Sequence, residues 1–262
     1  MPLIYLDDIR LNAETSGPVS GPPLVLLHAL GTNLSLWDDL IAQLPASLRI
    51  LRFDMRGHGG SDTPAPPYAM GALVRDAERL MDHFGLKDAV VLGVSLGGLV
   101  AQGLAVKRLD LVRGMLLSNT AARIGTAALW EGRIAEVVAS GLEPYAPGAM
   151  ARMFGRHWQD APAMPRVRAM LTATSPQGWI GCAHAISGTD FYTPTASLTL
   201  PTLAIAGAND GTTPPDLVRE TADLIRGGRF ALLRGAGHLP MVEKPAEYAA
   251  LLAGFLRDIG HL

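Results

Sequence analysis

The chain has 262 residues, 48% of them hydrophobic, and a formal net charge of −2 from 22 basic and 24 acidic side chains. This length and hydrophobicity suit one large α/β domain, or a domain that carries an insertion. No basic block or stripe occurs in the sequence, which argues against nucleic acid as a partner.

The cysteine content and the N-terminal sequence set further limits. Cys182 is the single cysteine, so no internal disulfide can form, and no CxxC or histidine-rich run suggests a metal site. The N-terminal sequence has acidic residues where a signal peptide has basic ones. No run approaches the roughly 20 apolar residues of a membrane span. We therefore expect a cytoplasmic protein with no membrane segment.

Short apolar runs alternate with helical patterns along most of the chain. Residues 72–84 and 246–256 have the spacing of amphipathic helices. Continuously apolar strands between such helices predict a mainly parallel sheet flanked by helices, with ligands bound at the carboxyl ends of the strands. The predicted strands are residues 24–28, 50–54, 89–94, 114–118, 202–206 and 229–233.

The stretch from about residue 121 to residue 193 breaks this alternation. It has no convincing buried strand, but it has helical segments at 127–140 and 148–158 between several prolines and glycines. Three of the four tryptophans lie in it: Trp130, Trp158 and Trp179. We therefore predict an α/β core made of residues 1–120 and 194–262, with residues 121–193 inserted as a helical cap.

The strongest chemical motif is the Gly-x-Ser-x-Gly sequence around Ser95. A predicted strand leads into Gly93-Val94-Ser95-Leu96-Gly97, and a helical pattern follows at once. Glycine at both flanking positions allows a sharp strand-to-helix turn that exposes the serine hydroxyl. Ser95 is therefore predicted to be a nucleophile, placed above the positive end of the helix.

A serine nucleophile needs a base, and the base needs an acid that orients it. Among seven histidines, His238 lies in a glycine-containing turn directly after a predicted strand, and Asp210 follows another predicted strand. The chain order Ser95, Asp210, His238 is that of α/β-hydrolase triads. Helix capping is a sufficient role for the nearby Asp216. Asn119 also follows a strand, but its side chain carries no charge, so we do not assign it as the acid.

The loop after the first predicted strand is expected to complete an oxyanion hole. The backbone N–H of Leu96, at the start of the helix, faces the oxyanion that forms when a carbonyl is attacked. The sequence His28-Ala29-Leu30-Gly31 is similar to a strand-His-Gly-x-Gly loop, with Ala29 in place of the first glycine. The Leu30 N–H is the predicted partner of the Leu96 N–H. His28 and His58 are expected to stabilise loops.

Together these motifs resemble those of the α/β-hydrolase superfamily over nearly the whole chain. A finer resemblance is to the 3-oxoadipate enol-lactonases, and it rests on residues 117–126 with Trp130 and Arg133, on Trp37-Asp38, and on residues 178–186. The resemblance implies a serine hydrolase that opens 3-oxoadipate enol-lactone to 3-oxoadipate through an acyl-enzyme on Ser95. The reaction would belong to the β-ketoadipate pathway of aromatic breakdown and would need neither a metal nor an organic cofactor.

A small anionic lactone calls for a mostly apolar pocket with one positive group. Arg133 lies one helical turn after Trp130, so the two side chains share a face of the first cap helix. Arg133 could hold the substrate carboxylate through paired hydrogen bonds, and Trp130 could supply apolar contact. The alternative is that Arg133 is a solvated surface residue and Trp130 only packs the cap on the core.

Other functions on the same scaffold stay open at this point. They are a carboxylesterase, a carbon–carbon bond hydrolase and a cofactor-free haloperoxidase. Dehalogenases and epoxide hydrolases are disfavoured, because they have aspartate where Ser95 stands. A ligand receptor that retains the triad but turns over slowly is the alternative from a different class, and an enol-lactone assay separates it from the enzymes.

Overall fold

The core of the protein is one eight-stranded sheet. The computed structural model describes residues 3–155 and 158–262. Its strands are β1 (Leu3–Leu6), β2 (Ile9–Ser16), β3 (Pro23–Leu27), β4 (Arg49–Phe53), β5 (Ala89–Val94), β6 (Val112–Ser118), β7 (Thr202–Gly207) and β8 (Arg229–Leu233). They are ordered β1-β2-β4-β3-β5-β6-β7-β8, and β3 to β8 are parallel to one another.

Eleven α-helices connect and cover these strands in the described part of the chain. They are α1 (Asp38–Ile41), α2 (Met70–His83), α3 (Leu96–Lys107), α4 (Ala127–Ser140), α5 (Leu142–Phe154), α6 (Met164–Ala173), α7 (Pro176–Ser187), α8 (Tyr192–Ala196), α9 (Pro215–Leu224), α10 (Pro240–Glu243) and α11 (Pro245–Asp258). Short 3-10 turns lie at Leu34–Trp37 and Trp158–Asp160. None of the described helices is long and apolar enough to cross a membrane.

All six predicted strands are present, with boundaries that agree within two residues. Sequence reasoning missed β1 and β2, which pair antiparallel with each other, as β2 does with β4. The reason lies in their burial pattern: in β2 the buried Leu11 and Ala13 alternate with more accessible residues. A search for continuously apolar runs finds strands that are covered on both faces, but it passes over such half-exposed strands.

Helices α4 to α8 lie between β6 and β7, in the stretch predicted to be helical. Helix α4 has the predicted bounds, whereas α5 begins at Leu142, before the predicted segment 148–158, and ends at Phe154. Pro144 lies in the first turn of α5, where the backbone N–H groups make no hydrogen bonds within the helix, so a proline is tolerated there. Pro147, in contrast, lies inside the helix. Residues 156 and 157 of the predicted segment lie outside the described residues.

These inserted helices pack largely on one another, with contacts of α4 to α5 and α7, and of α5 to α6. Helix α7 also contacts α2 and α3, and α3 packs on β3, β5 and β6. Helix α8 ends at Ala196, so it crosses the predicted cap boundary at residue 193. The inserted helices therefore lie against the helix that follows Ser95.

Candidate active site

Ser95 occupies a strained turn between β5 and α3. Its φ and ψ angles are 56° and −116°, a conformation that non-glycine residues rarely adopt. A Cβ atom on Gly93 would lie 2.2 Å from the Gly97 oxygen, and one on Gly97 would lie 2.1 Å from the Leu27 oxygen. Both glycines are therefore required by close backbone approach. The Ser95 N–H donates to the Ser118 oxygen at 3.0 Å, which ties the turn to β6.

Asp210 and His238 form a buried pair at the ends of β7 and β8. The Asp210 Oδ2 atom lies 2.8 Å from His238 Nδ1, and both side chains are almost completely buried. The same oxygen accepts hydrogen bonds from Asn119 Nδ2 at 2.8 Å and Thr213 Oγ1 at 2.7 Å. The other oxygen accepts the N–H groups of Thr212 and Thr213. A carboxylate surrounded by donors fixes the imidazole tautomer with its proton on Nδ1.

These donors also set the ionisation of the acid. Burial raises the pKa of Asp210, but the charge and hydrogen bond of His238, together with the Asn119 amide and backbone N–H groups, outweigh it. The net result is a pKa below the ordinary value of 3.8. Asp210 is therefore ionised at neutral pH, as an orienting acid must be.

The loop that carries His238 is held from two sides at Gly237. The Gly237 N–H donates to both carboxylate oxygens of Glu243, at 2.9 and 3.0 Å, and its carbonyl accepts from Asn119 Nδ2 at 3.1 Å. Asn119 itself has a positive φ of 46°. Burial raises the pKa of Glu243, partly offset by the backbone donors of Gly237 and Leu239. The His238 backbone is thus fixed independently of the Asp210 contact.

The two N–H groups predicted for an oxyanion hole are available. Among the described residues, neither the Leu30 nor the Leu96 N–H donates a hydrogen bond to another protein group. The Leu30 loop is held by the two histidines expected to stabilise loops. His28 Nε2 accepts the Met55 N–H at 2.9 Å, and His58 Nε2 accepts the Gly31 N–H at 3.0 Å. Burial lowers the pKa of His58 to about 3 and also lowers that of His28, so both rings are neutral.

Ser95 and His238 face one cavity, whose empty space, including its open mouth, is about 400 Å³. The cavity lies between the carboxyl ends of the strands and the inserted helices, and its lining combines apolar and aromatic side chains with polar and basic ones. The remaining lining residues are Leu30, Trp130, Arg133, Tyr145, Ala149, Arg152, Met153, Leu171, Trp179 and Thr212.

Trp130 and Arg133, which their spacing places on one face of α4, both line this cavity. The Arg133 guanidinium lies over the Trp130 ring, with 4.8 Å from Cζ to the ring centroid. Trp130 is 3% exposed and donates from Nε1 to the Ile124 oxygen at 2.6 Å. It therefore packs the start of the inserted helices and lines the cavity at once. Arg133 is partly buried, which lowers its pKa from the ordinary value of 12.5.

Sequence reasoning missed Arg152, Tyr145 and the positions of Asn119 and Thr213 beside Asp210. Tyr145, Ala149 and Arg152 follow one another at i, i+4 and i+7 on α5, a spacing that places them on one helix face. That spacing could have shown a shared face, but not that the face lines a cavity. Asn119 was set aside for lack of charge, although its amide donates to the acid.

Comparison with known proteins agrees with this geometry. A family model of the alpha/beta hydrolase fold matches residues 22–245, and the chain belongs to that family. It is 33% identical over 243 residues to 3-oxoadipate enol-lactonase 2 of Acinetobacter baylyi, covering 92% of this chain and 91% of that protein. The resemblance to 3-oxoadipate enol-lactonases is thereby confirmed.

Two solved structures are similar over almost their whole lengths. A hydrolase from Pseudomonas aeruginosa PA01 has a TM-score of 0.93 and 35% identity, covering 97% of both chains. The enol-lactonase from Burkholderia xenovorans LB400 also has a TM-score of 0.93, with 30% identity over 98% of this chain and 100% of that one. The predicted mainly parallel sheet flanked by helices is confirmed.

Proposed function

We propose that the protein is a serine hydrolase that opens 3-oxoadipate enol-lactone to 3-oxoadipate. The substrate class comes from the relatives named above, and the β-ketoadipate pathway from the family resemblance. In this proposal Ser95 is the nucleophile, His238 the general base and Asp210 the orienting acid. Residues 121–193 act as the cap that closes the pocket over the substrate.

The observation that carries the proposal is the charge of the cavity. Arg133 lines the same cavity as Ser95 and His238, and it forms no ion pair with any described residue. No Asp or Glu is among the residues that line the cavity in the described part of the chain. A guanidinium with no carboxylate partner among the described residues favours a substrate that brings its own carboxylate. A general esterase for neutral substrates has no use for that charge.

The first half of the reaction opens the lactone ring. His238 takes the Ser95 proton as Oγ attacks the lactone carbonyl carbon, and the carbonyl oxygen becomes an oxyanion held by the N–H groups of Leu30 and Leu96. Collapse of this intermediate breaks the bond between the acyl carbon and the ring oxygen. The electron pair leaves with that oxygen as an enolate, which takes the proton from His238 and becomes a ketone.

Ketone formation matters because the leaving group stays tethered to the acyl-enzyme. An alkoxide in that position could close the ring again, whereas a ketone oxygen is a poor nucleophile. A water molecule then gives its proton to His238 and attacks the acyl carbon. Collapse of the second intermediate breaks the ester bond to Ser95 Oγ, and His238 returns the proton to the serine. The product leaves with two carboxylates.

Steady-state assays on the purified protein test the proposal. The enol-lactone absorbance should fall rapidly with the wild-type protein and not with Ser95→Ala. Arg133→Met should lower kcat/KM for the enol-lactone by about 10-fold or more, the effect of losing a hydrogen bond to a charged group, with a smaller effect on a neutral ester. Failure to turn over the enol-lactone, combined with good activity on neutral esters, would refute the proposed substrate.

A further inference from the structure

Arg152 is a second guanidinium in the cavity, and it lies on a different helix from Arg133. Its Nη2 atom donates to the Tyr145 hydroxyl at 2.8 Å, and its Cζ lies 5.2 Å from the centroid of the Tyr145 ring. The Tyr145 ring in turn packs edge-on against Trp179, with 5.1 Å between centroids. Aromatic groups therefore hold the guanidinium in place, and no carboxylate among the described residues pairs with it.

Arg133 and Arg152 are close enough to influence each other. Burial is the main cause of the lowered pKa of Arg133, and the positive charge of Arg152 lowers it further, while Tyr145 and Glu136 act in the opposite direction. Two like charges beside one partly enclosed cavity are unfavourable until an anion enters. The protein maintains this arrangement without a compensating acid in the described lining.

The backbone next to the Arg152 side chain is bonded to both loops of the Asp–His pair. The Arg152 carbonyl accepts the Gly211 N–H at 2.9 Å, directly after Asp210. The Met153 carbonyl accepts the His238 N–H at 2.7 Å. The last turn of α5 thus joins the cavity wall to the loops that carry the acid and the base. A carboxylate bound by Arg152 would sit on an element fixed to the reacting groups.

We propose that Arg152 is a specificity-determining residue that, with Arg133, binds the carboxylate of substrates whose acyl part ends in a second acid group. The proposal rests on the proposed function for the roles of Ser95 and His238. It extends that function from one positive group to a two-guanidinium subsite. Tyr145 serves as a positioning residue, because its hydroxyl and ring orient the Arg152 guanidinium.

Two chromogenic esters test the subsite without the enol-lactone. They are 4-nitrophenyl hydrogen adipate, whose acyl chain ends in a carboxylate, and 4-nitrophenyl hexanoate, which has the same number of acyl carbons and no charge. In Arg152→Met, kcat/KM for the adipate ester should fall about 10- to 100-fold, while that for the hexanoate should change less than about 3-fold. Tyr145→Phe should give a smaller loss, again confined to the adipate ester.

Arg168→Met is the matched control. Arg168 lies on α6 of the inserted helices, is half-exposed, and pairs with Glu143 on the surface, outside the cavity. This variant should leave both esters unchanged. Thermal melts of every variant show whether a loss arises from misfolding.

Equal losses on both esters in Arg152→Met would overturn the proposal, since they would indicate a purely structural residue. No loss on either ester would overturn it too. Calorimetric titration of adipate onto Ser95→Ala gives a reading that does not depend on turnover: binding should weaken about 10-fold or more when Arg152→Met is added. Equal adipate affinity with and without this second change would refute the subsite.

The two proposals fail separately in these experiments. A wild-type protein that ignores the enol-lactone but shows an Arg152-dependent preference for the adipate ester would refute the enol-lactonase assignment and support the subsite. If the wild-type protein opens the enol-lactone but Arg152→Met changes neither ester selectivity nor adipate binding, the enol-lactonase assignment is supported and the subsite is refuted.

Discussion

Replacing Asp210 with asparagine tests the role of the buried acid with almost no change in side-chain volume. All the contacts of the carboxylate are hydrogen-bond donors: His238, Asn119 and Thr213 on one oxygen, and two backbone N–H groups on the other. The amide NH₂ of Asp210→Asn would face donors in either orientation. To give it an acceptor, the His238 ring must release its Nδ1 proton and carry the proton on Nε2. That nitrogen could then no longer take the proton of Ser95.

The expected magnitudes follow from these contacts. Loss of the correct tautomer in a serine–histidine–acid triad lowers kcat by about 10⁴-fold, which corresponds to about 5.5 kcal/mol in the activation barrier. At least one buried donor is left without an acceptor, at a cost of about 1–3 kcal/mol in the free energy of unfolding. The larger effect should therefore be on turnover, and the variant should still fold.

The pH dependence of stability gives a second signature. Because the pKa of Asp210 is lowered in the folded state, its carboxylate stabilises the protein fully above the ordinary value of 3.8. This contribution is lost as the pH falls below 3.8 through the folded-state pKa. The stability gap between the wild-type protein and Asp210→Asn should therefore narrow as the pH falls below 3.8.

Ester hydrolysis and urea unfolding measure the two effects side by side. Asp216→Asn is the control, because Asp216 is an exposed acid in the first turn of α9 and lies outside the proposed triad. It should retain wild-type turnover and stability within about 0.5 kcal/mol. If Asp210→Asn kept more than a tenth of the wild-type kcat, the assignment of Asp210 as the orienting acid would be wrong.

Three further predictions concern other buried groups. Gly97→Ala would place a Cβ atom 2.1 Å from a backbone oxygen, so we expect its free energy of unfolding to fall by about 1–3 kcal/mol. In the control Gly254→Ala, the Cβ meets nothing within 4 Å, and the free energy of unfolding should rise by up to about 1 kcal/mol. Equal urea midpoints for the two variants would contradict the clash at Gly97. Glu243→Gln keeps an acceptor for the Gly237 N–H but removes a carboxylate whose pKa burial raises. Ionisation of that carboxylate costs stability as the pH rises above 4.5. The stability gap should therefore shift in favour of the variant as the pH rises from 4.5, and a constant gap would refute this. Burial holds the pKa of His58 at about 3, so between pH 3 and 6.5 the unfolded chain binds more protons than the folded protein, and stability falls as the pH drops through that window. His58→Asn should make the unfolding free energy, measured by urea titration, less dependent on pH in this window. An unchanged pH dependence would count against His58 as its source.

Most of the fold was predictable because its strands are buried on both faces. Every residue of β5 is buried and none has a polar side chain; Gly93 lies near the end of this strand and Gly97 follows three residues after it. Such patterns are local, so they can be found without knowing what packs on them. The half-exposed β1 and β2 lack this signal. Helix α5 was only partly predicted, since Pro144 and Pro147 are typical of breaks between helices rather than of a helix interior.

The candidate site was predictable only as far as chemistry and chain order allow. Asp210 and His238 were found because each follows a strand, and parallel strands bring their carboxyl ends to one edge. Asn119 was rejected on charge, although it lies 91 residues from Asp210 in sequence and donates to it directly. No pattern near Asn119 indicates that contact.

The sequence alone determined the elbow at Ser95, the chain order of Ser95, Asp210 and His238, which we propose as the triad, and the parallel sheet that brings strand ends to one edge. Each of these depends on short-range patterns of glycine, apolar residues and strand ends. The tertiary structure decided that Arg152 and Tyr145 face the same cavity as Arg133. It also decided that the last turn of α5 is bonded to both the Asp210 and His238 loops. Those contacts join residues distant in the chain, and they exist only after the inserted helices have packed against the sheet.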